Sequence, residues 1–312
     1  MDFQKANIDA AKKQTLQLDE TSFDFIKKRT YAPISVYQNK GLFLRIGPKK
    51  LITKELNIHM QMLFQGFPVA QIIKEGIYEN QYFYVEESLG DTHLGETFGQ
   101  DYTKNKEISK YSFSAFKKIS KKFATAQLSD QGNKIKNKKE FLKGFRIDTI
   151  MEELPELKEE ILKAFNKFKT RVSVFPIVLT HGDLNPHNLL PKGVIDLENT
   201  FYGPTGYDLI SNIFTIYFFP KKGNYEIKRR YEFTNTQLSK YLNNMDKLYS
   251  SFQLPILSEY KDDYVFARSI YCAVGMNNLP KLQKWRYKLF RKILLQYIKG
   301  KSVTKTLLEF KL

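Results

Sequence analysis

The stretch FPIVLTHGDLNPHNLL, Phe175–Leu190, changes character at its centre. An apolar, β-branched run gives way to His181, Asp183, Asn185, His187 and Asn188, and then Leu189 and Leu190 restore the apolar pattern. VFPIVL reads as a buried strand. The loop after it offers a carboxylate at Asp183 and a neutral oxygen ligand at Asn188, five positions later. NLLPKGVIDLE then reads as a tight hairpin turning at Pro191-Lys192-Gly193, which returns a second carboxylate, Asp196, beside Asn188. Hard oxygen ligands from an Asn and an Asp suit Mg²⁺, which completes its shell with phosphate and water. A further Asp outside that shell can take the proton of an attacking hydroxyl. His181 and His187 have no Cys partner and no closing His at zinc spacing, so His181 is expected to hold the loop by hydrogen bonds.

Composition sets the frame for this loop. A chain of 312 residues with 42% hydrophobic and 14% aromatic content can bury a sizeable core. One cysteine, Cys272 in ARSIYCAVG, excludes an intramolecular disulfide and reads as a buried thiol in a reducing compartment. MDFQKANIDAAKKQ has no apolar leader core, and LISNIFTIYFF is too short for a bilayer span, so a cytoplasmic location is expected. The net charge of +17 invites a nucleic-acid reading, but it comes from 41 Lys and only 9 Arg, and arginine is the better reader of phosphates and base edges. Nucleic acid is therefore not the expected partner. The exception is Lys281–Leu312, where ten basic residues face one acid, Glu309. There Leu282, Trp285, Leu289, Ile293 and Tyr297 recur at helical spacing and leave a basic outer face.

The first third reads as strands around one helix. ISVYQNKGLFLRIG is a hairpin turning at Asn39-Lys40-Gly41. LITKELNIHMQMLFQG is a helix ended by Gly66, and PVAQIIKEGIYENQYFYVEES is more strand, broken at Glu79-Asn80. Beyond Gly90 the pattern becomes helical, over Glu107–Ser129, Lys138–Phe168 and most of the chain after Tyr207. The expectation is an α+β chain with a β-rich unit, residues 1–88, and a mainly helical one, residues 89–312. Arg45 is the one charge inside LFLRIG, and Glu55 lies beside the inward stripe of the following helix. Pairing the two offsets much of the cost of burying either.

HGDLNPHN resembles the H-x-D-L-x-x-x-N catalytic loop of kinases, and Asp196 in VIDLE takes the place of the metal-binding Asp of D-F-G. Gly in place of the Arg of H-R-D, the I-D-x-E form and the later GYDL, Gly206–Leu209, are similar to the aminoglycoside phosphotransferase and choline kinase family. The resemblance implies a two-lobed protein-kinase-like fold and transfer of the γ-phosphoryl of ATP, with Mg²⁺, to a hydroxyl of an amino alcohol, sugar or aminoglycoside. It makes Asp183 the base and Asn188 and Asp196 the metal ligands. Arg45, held by Glu55, becomes the phosphate clamp, and the backbone from Glu86 to Ser88 binds adenine. No G-x-G-x-x-G loop precedes Arg45; the phosphate-covering turn falls before Ile34 or at Gln38–Gly41.

The acceptor has no signature of its own. Asp91, Glu96, Glu198 and Asp208 are candidate acids for a cationic acceptor, but the overall charge opposes a polycation at long range. A small neutral or singly charged acceptor is therefore expected ahead of an aminoglycoside, with a quaternary-ammonium cage at Trp285 or Tyr264 as one form. The reading from another class is a kinase-fold binding protein whose basic C-terminal face engages nucleic acid or an anionic membrane.

Overall fold

The computed structural model describes residues 14–29, 32–129 and 144–310. The chain forms two compact units, Met1–Asp91 with Leu190–Glu198, and Thr92–Leu189 with Asn199–Leu312.

In the first unit, strands β1 (Thr15–Leu18), β2 (Thr21–Lys28), β3 (Ser35–Asn39) and β4 (Leu42–Gly47) follow one another as an antiparallel meander. Helix α1 (Lys49–Phe64) intervenes before the hairpin of β5 (Ile72–Tyr78) and β6 (Gln81–Glu87), which gives the order β1-β2-β3-β4-β6-β5. Alternation sorts the sheet into two faces. Leu44, Ile46, Phe83 and Val85 join Leu16, Phe23 and Tyr37 in one core, while Tyr84 packs on the other face with Ile34 and with Ile52 and Leu56 of α1. Arg45 stands opposite Tyr84 in register, so Arg45 and Glu86, two residues from Tyr84, face α1 as well.

The expected boundary at residue 88 misses one segment of this unit. Leu190–Glu198 belongs to it, because the Lys192 amide donates to Leu89 O at 3.2 Å and the Val194 amide to Pro68 O at 2.7 Å.

The second unit is mainly helical: α2 (Leu94–Asn105), α3 (Lys110–Ser129), α4 (Ile147–Glu153) and α5 (Lys158–Val172) lead to strand β7 (Ile177–Thr180). The two-residue strands β8 (Leu189–Leu190) and β9 (Gly193–Val194) form the small hairpin that follows the loop. Strand β10 (Phe201–Pro204) pairs antiparallel with β7. Helices α6 (Tyr207–Phe214), α7 (Asn235–Ser251), α8 (Lys261–Ala273), α9 (Pro280–Ile298) and α10 (Val303–Glu309) complete the unit.

The helix expected over Lys138–Phe168 is interrupted. Pro155 lacks an amide donor and clashes with a continuing helix, so α4 stops at Glu153 and α5 restarts at Lys158; residues 138–143 of that stretch lie outside the described residues. On α9, Leu282, Trp285, Leu289, Ile293 and Tyr297 are all buried, with Trp285 edge-on to Tyr225 and Phe310. Among the described residues no helix is long and apolar enough to cross a membrane.

Candidate active site

The loop between β7 and β8 is held by its own side chains and by a buried carboxylate. Asp208 of α6 is fully buried; it accepts from the His181 amide at 2.8 Å, the Gly182 amide at 3.0 Å and Gln127 Nε2 at 2.8 Å. Burial pushes its pKa up, and those donors pull it back. Gly182 has φ +79, and a Cβ there would lie 2.0 Å from Asn199 O. Only glycine fits both demands, which gives the missing Arg of H-R-D a local cause. His181 is buried, and its Nδ1 accepts from the Asp183 amide at 3.3 Å. Asn185 caps the turn, taking the His187 amide at 2.9 Å.

These contacts fix the two polar side chains that matter. Asn188 Nδ2 donates to Asp183 O at 2.9 Å, which turns its carbonyl oxygen away from the loop. The Asp183 carboxylate is held by Arg268 of α8: Nη2 pairs with Oδ1, and Nη1 donates to Gly182 O at 3.1 Å. Among the described residues Oδ2 has only a long contact, 3.4 Å, to Asn188 Nδ2, so it is the oxygen open to a substrate proton. Arg268 was missed in the sequence, although it is a single charge within the apolar run of α8.

Asp183 opens onto a cavity of about 390 Å³ formed wholly within this unit. Asn185, His187 and Asn188 line it from the loop, Tyr271 and Cys272 from α8, and Arg146, Arg268 and Arg286 supply its positive charge. None of Asp91, Glu96, Glu198 or Asp208 lines this cavity. Tyr264 is completely buried, and Trp285 shares a shallow groove with Lys281, Lys284 and Lys288. Neither site is a cage for a quaternary ammonium.

In the first unit, Arg45 Nη1 is 3.1 Å from Glu55 Oε1, and its Nε is 2.7 Å from Glu86 Oε1. Tyr84 OH donates to Glu55 Oε1 at 2.8 Å. The sequence reading gave Glu86 only a backbone role, yet its side chain is an ion-pair partner; strand alternation from Tyr84 would have found it. The Glu87 and Ser88 amides donate to Gln71 O and Gly41 O at 3.0 and 2.7 Å, so both are engaged within the sheet. Asp196 has φ +67, a conformation Asp tolerates better than most residues. Arg29, at the end of β2 and unnoticed in the sequence, gathers Glu55, Asp196 and Glu198 at 3.1, 3.3 and 3.5 Å.

The fold and the loop stretch are both similar to known proteins. In fold, the chain is similar to a thermostable mutant of aminoglycoside phosphotransferase APH(4)-Ia, at 12% identity and a TM-score of 0.51 over 94% of this chain and 98% of that one. It is equally similar to a choline/ethanolamine kinase family protein from Mesorhizobium loti, at 12% identity and 0.50 over 97% and 98%. A ternary complex of the APH(4)-Ia mutant with AMP-PNP and hygromycin B aligns at 0.51, again 12% identical, over 88% and 93%. The fold is therefore protein-kinase-like. Residues 122–237, which carry the loop and GYDL, match the APH phosphotransferase enzyme family, and the resemblance read from the sequence is shown over that stretch. No curated protein sequence matches the chain.

Proposed function

We propose that this chain is a small-molecule kinase that transfers the γ-phosphoryl of ATP to a hydroxyl acceptor. The observation that carries the reading is Asp183: one carboxylate oxygen is paired with Arg268, and the residue lines a cavity large enough for a small molecule. The family match over residues 122–237 supports it, as does the likeness to a phosphotransferase fold that binds AMP-PNP and hygromycin B.

The donor set fits Mg²⁺. Asn188 turns a neutral oxygen outward, and Asp196 belongs to a group of carboxylates that already gathers a cation, Arg29. Asn188 and Asp196 would hold the ion, whose chemistry is to neutralise the phosphoryl oxygens of the nucleotide. Arg45, fixed by Glu55 and Glu86, would contact the nucleotide phosphates, and the backbone from Glu86 to Ser88 would contact the base through groups other than the two engaged amides. Asp183 Oδ2 orients the acceptor hydroxyl and takes its proton as the hydroxyl oxygen bonds to the γ-phosphorus and the bond to the bridging oxygen of ADP breaks. Catalysis of this kind rests on positioning and charge.

Substitution separates the roles. Asp183→Asn should leave Mg²⁺-ATP affinity near wild type while transfer falls by roughly 10²–10⁴-fold, the range for a lost general base. Asp196→Ala should weaken Mg²⁺-dependent nucleotide binding as well. Calorimetric titration of Mg²⁺-ATP beside a turnover assay decides: full transfer by Asp183→Asn, or unchanged binding by Asp196→Ala, sinks the assignment.

A further inference from the structure

The wall of the Asp183 cavity carries three guanidiniums, from Arg146, Arg268 and Arg286, against one carboxylate, Asp183 itself. Arg268 pairs with that carboxylate through Nη2 and donates to Gly182 O through Nη1. The other two have no carboxylate partner among the described residues. Arg286 is buried, 4% exposed. Its Nε and Nη1 donate to backbone carbonyls, Phe218 O at 3.0 Å and Cys272 O at 2.9 Å, and it stacks 4.5 Å from the Phe219 ring. Arg146 donates to Asn199 Oδ1 at 3.2 Å and lies 4.1 Å from the Tyr271 ring, which Arg268 also approaches at 4.4 Å.

Two consequences follow from this charge count. A cationic acceptor would enter a cavity whose only carboxylate is already paired, and it would face two uncompensated positive charges at short range. A carboxylate or phosphate would do the reverse, offsetting a buried charge that otherwise stays unpaired. Guanidinium forks match those groups geometrically, and stacking on Tyr271 and Phe219 holds the two forks in place. Burial and the nearby Arg268 charge pull the Arg286 pKa down, which is the strain an anion would relieve. The volume, about 390 Å³, lies at the low end of the range for small-molecule sites.

We propose that the acceptor is a small anionic hydroxyl compound, bearing a carboxylate or a phosphate that Arg146 and Arg286 bind while Asp183 receives the hydroxyl proton. This rests on the kinase reading and names its substrate class. In the balanced step the acceptor oxygen bonds to the γ-phosphorus, the bond to the bridging oxygen breaks, ADP carries away the electron pair, and the proton passes to Asp183 Oδ2. The cavity wall, and not the net charge of the chain, leads to this choice.

The test uses the full chain and four acceptors of matched size: D-glycerate, glycerol 3-phosphate, glycerol and choline. Each is titrated calorimetrically with AMP-PNP and Mg²⁺ present, and each is assayed for transfer from ATP. Glycerate or glycerol 3-phosphate should bind at least about tenfold tighter than glycerol, with choline weakest, and whichever anion binds tighter identifies carboxylate or phosphate. Arg146→Gln and Arg286→Gln should each weaken anion binding by about 10- to 100-fold, the range for one charge-assisted hydrogen bond. Arg286→Lys should recover part of it, and Arg146, only half-buried, remains informative if Arg286→Gln fails to fold. Choline or glycerol binding as tightly as the anions, or anion binding unaffected by both substitutions, overturns the proposal, as does no binding by either anion. Anion binding that depends on both arginines but gives no transfer keeps the anion site and removes the kinase reading.

Discussion

Replacing Asp208 by Asn tests whether the buried carboxylate sets the catalytic loop. Asn has the same shape but only one acceptor oxygen, whereas Asp208 accepts from three donors: His181 N, Gln127 Nε2 and Gly182 N. With its oxygen toward His181 and Gln127, the new amide nitrogen faces the Gly182 N–H, donor against donor. One charge-assisted bond is lost, at about 1.5–3 kcal/mol, and the other two weaken to neutral strength. Relief of the buried charge returns part of this, since burial raises the Asp208 pKa. A net loss of about 2–4 kcal/mol is expected, which is a fall in Tm of about 3–6 °C for a chain of this size. Gly182 adjoins Asp183, so the displaced loop should lower kcat by about 10²-fold, the effect of an ångström-scale misplacement, while Mg²⁺-ATP affinity holds. Thermal melting and steady-state turnover measure both. An Asp208→Asn chain with wild-type kcat and Tm would refute the claim that this carboxylate positions the loop.

Three further outcomes are expected. A Cβ on Gly95 would lie 2.7 Å from the His187 ring, so Gly95→Ala should cost about 1–3 kcal/mol through overpacking and raise the acceptor KM without moving the nucleotide KM. A variant as stable as wild type with both constants unchanged argues against that contact. Arg29→Ala leaves Glu55, Asp196 and Glu198 without their shared cation; Tm should drop in EDTA and recover with Mg²⁺ more than wild type does, and equal Mg²⁺ responses would rule it out. Burial, with Arg230 and His93 adding to it, holds the His187 pKa below 6.5. The unfolded chain therefore takes up this proton first, and stability is lost as pH falls from 6.5 through the folded value; a Tm-versus-pH slope as steep in His187→Gln as in wild type would contradict this.

The sequence was legible where a single polar residue broke an apolar pattern. Arg45 in LFLRIG announced its need for a partner, and Glu55 on the next helix supplied it at 3.1 Å. The same rule would have exposed Arg268 in ARSIYC, a run that drew attention only for Cys272. It would also have found Arg286, four residues after Leu282 and three before Leu289 on the buried stripe of α9. Arg29 was beyond this kind of reading, because Glu55 and Asp196 lie 26 and 167 residues away and β2 has no continuous apolar run for a charge to interrupt. The hairpin between Asn188 and Asp196 was predictable from Pro191-Lys192-Gly193, but its membership of the first unit was not. That depends on hydrogen bonds to Leu89 O and Pro68 O, which no local pattern announces.

The positive charge of the chain divides by residue type. Lysine makes up most of it, and lysine forms few of the described ion pairs: Lys74 with Asp19 and Lys221 with Glu232, both on exposed side chains. Eight of the 9 arginines behave otherwise; the ninth, Arg230, is exposed. Arg171, Arg229 and Arg291 pair with Asp263, Glu232 and Glu156 within the helical unit. Arg29 and Arg45 gather the carboxylates around α1, and Arg146, Arg268 and Arg286 line the Asp183 cavity. A lysine ammonium is strongly hydrated and costly to desolvate, whereas a guanidinium stacks on aromatic rings and keeps several donors when buried. That difference explains why the interior cations, Arg268 and Arg286 above all, are arginines, while Arg171, Arg230 and Arg291 share the surface with the lysines. It also separates two electrostatic questions that a net charge merges. The lysine surface sets which ligands approach from a distance and fades with salt, while the two open cavity arginines act at contact range, where screening is weak. Discrimination between anionic and cationic acceptors should therefore persist at high ionic strength, even as the rate of encounter falls.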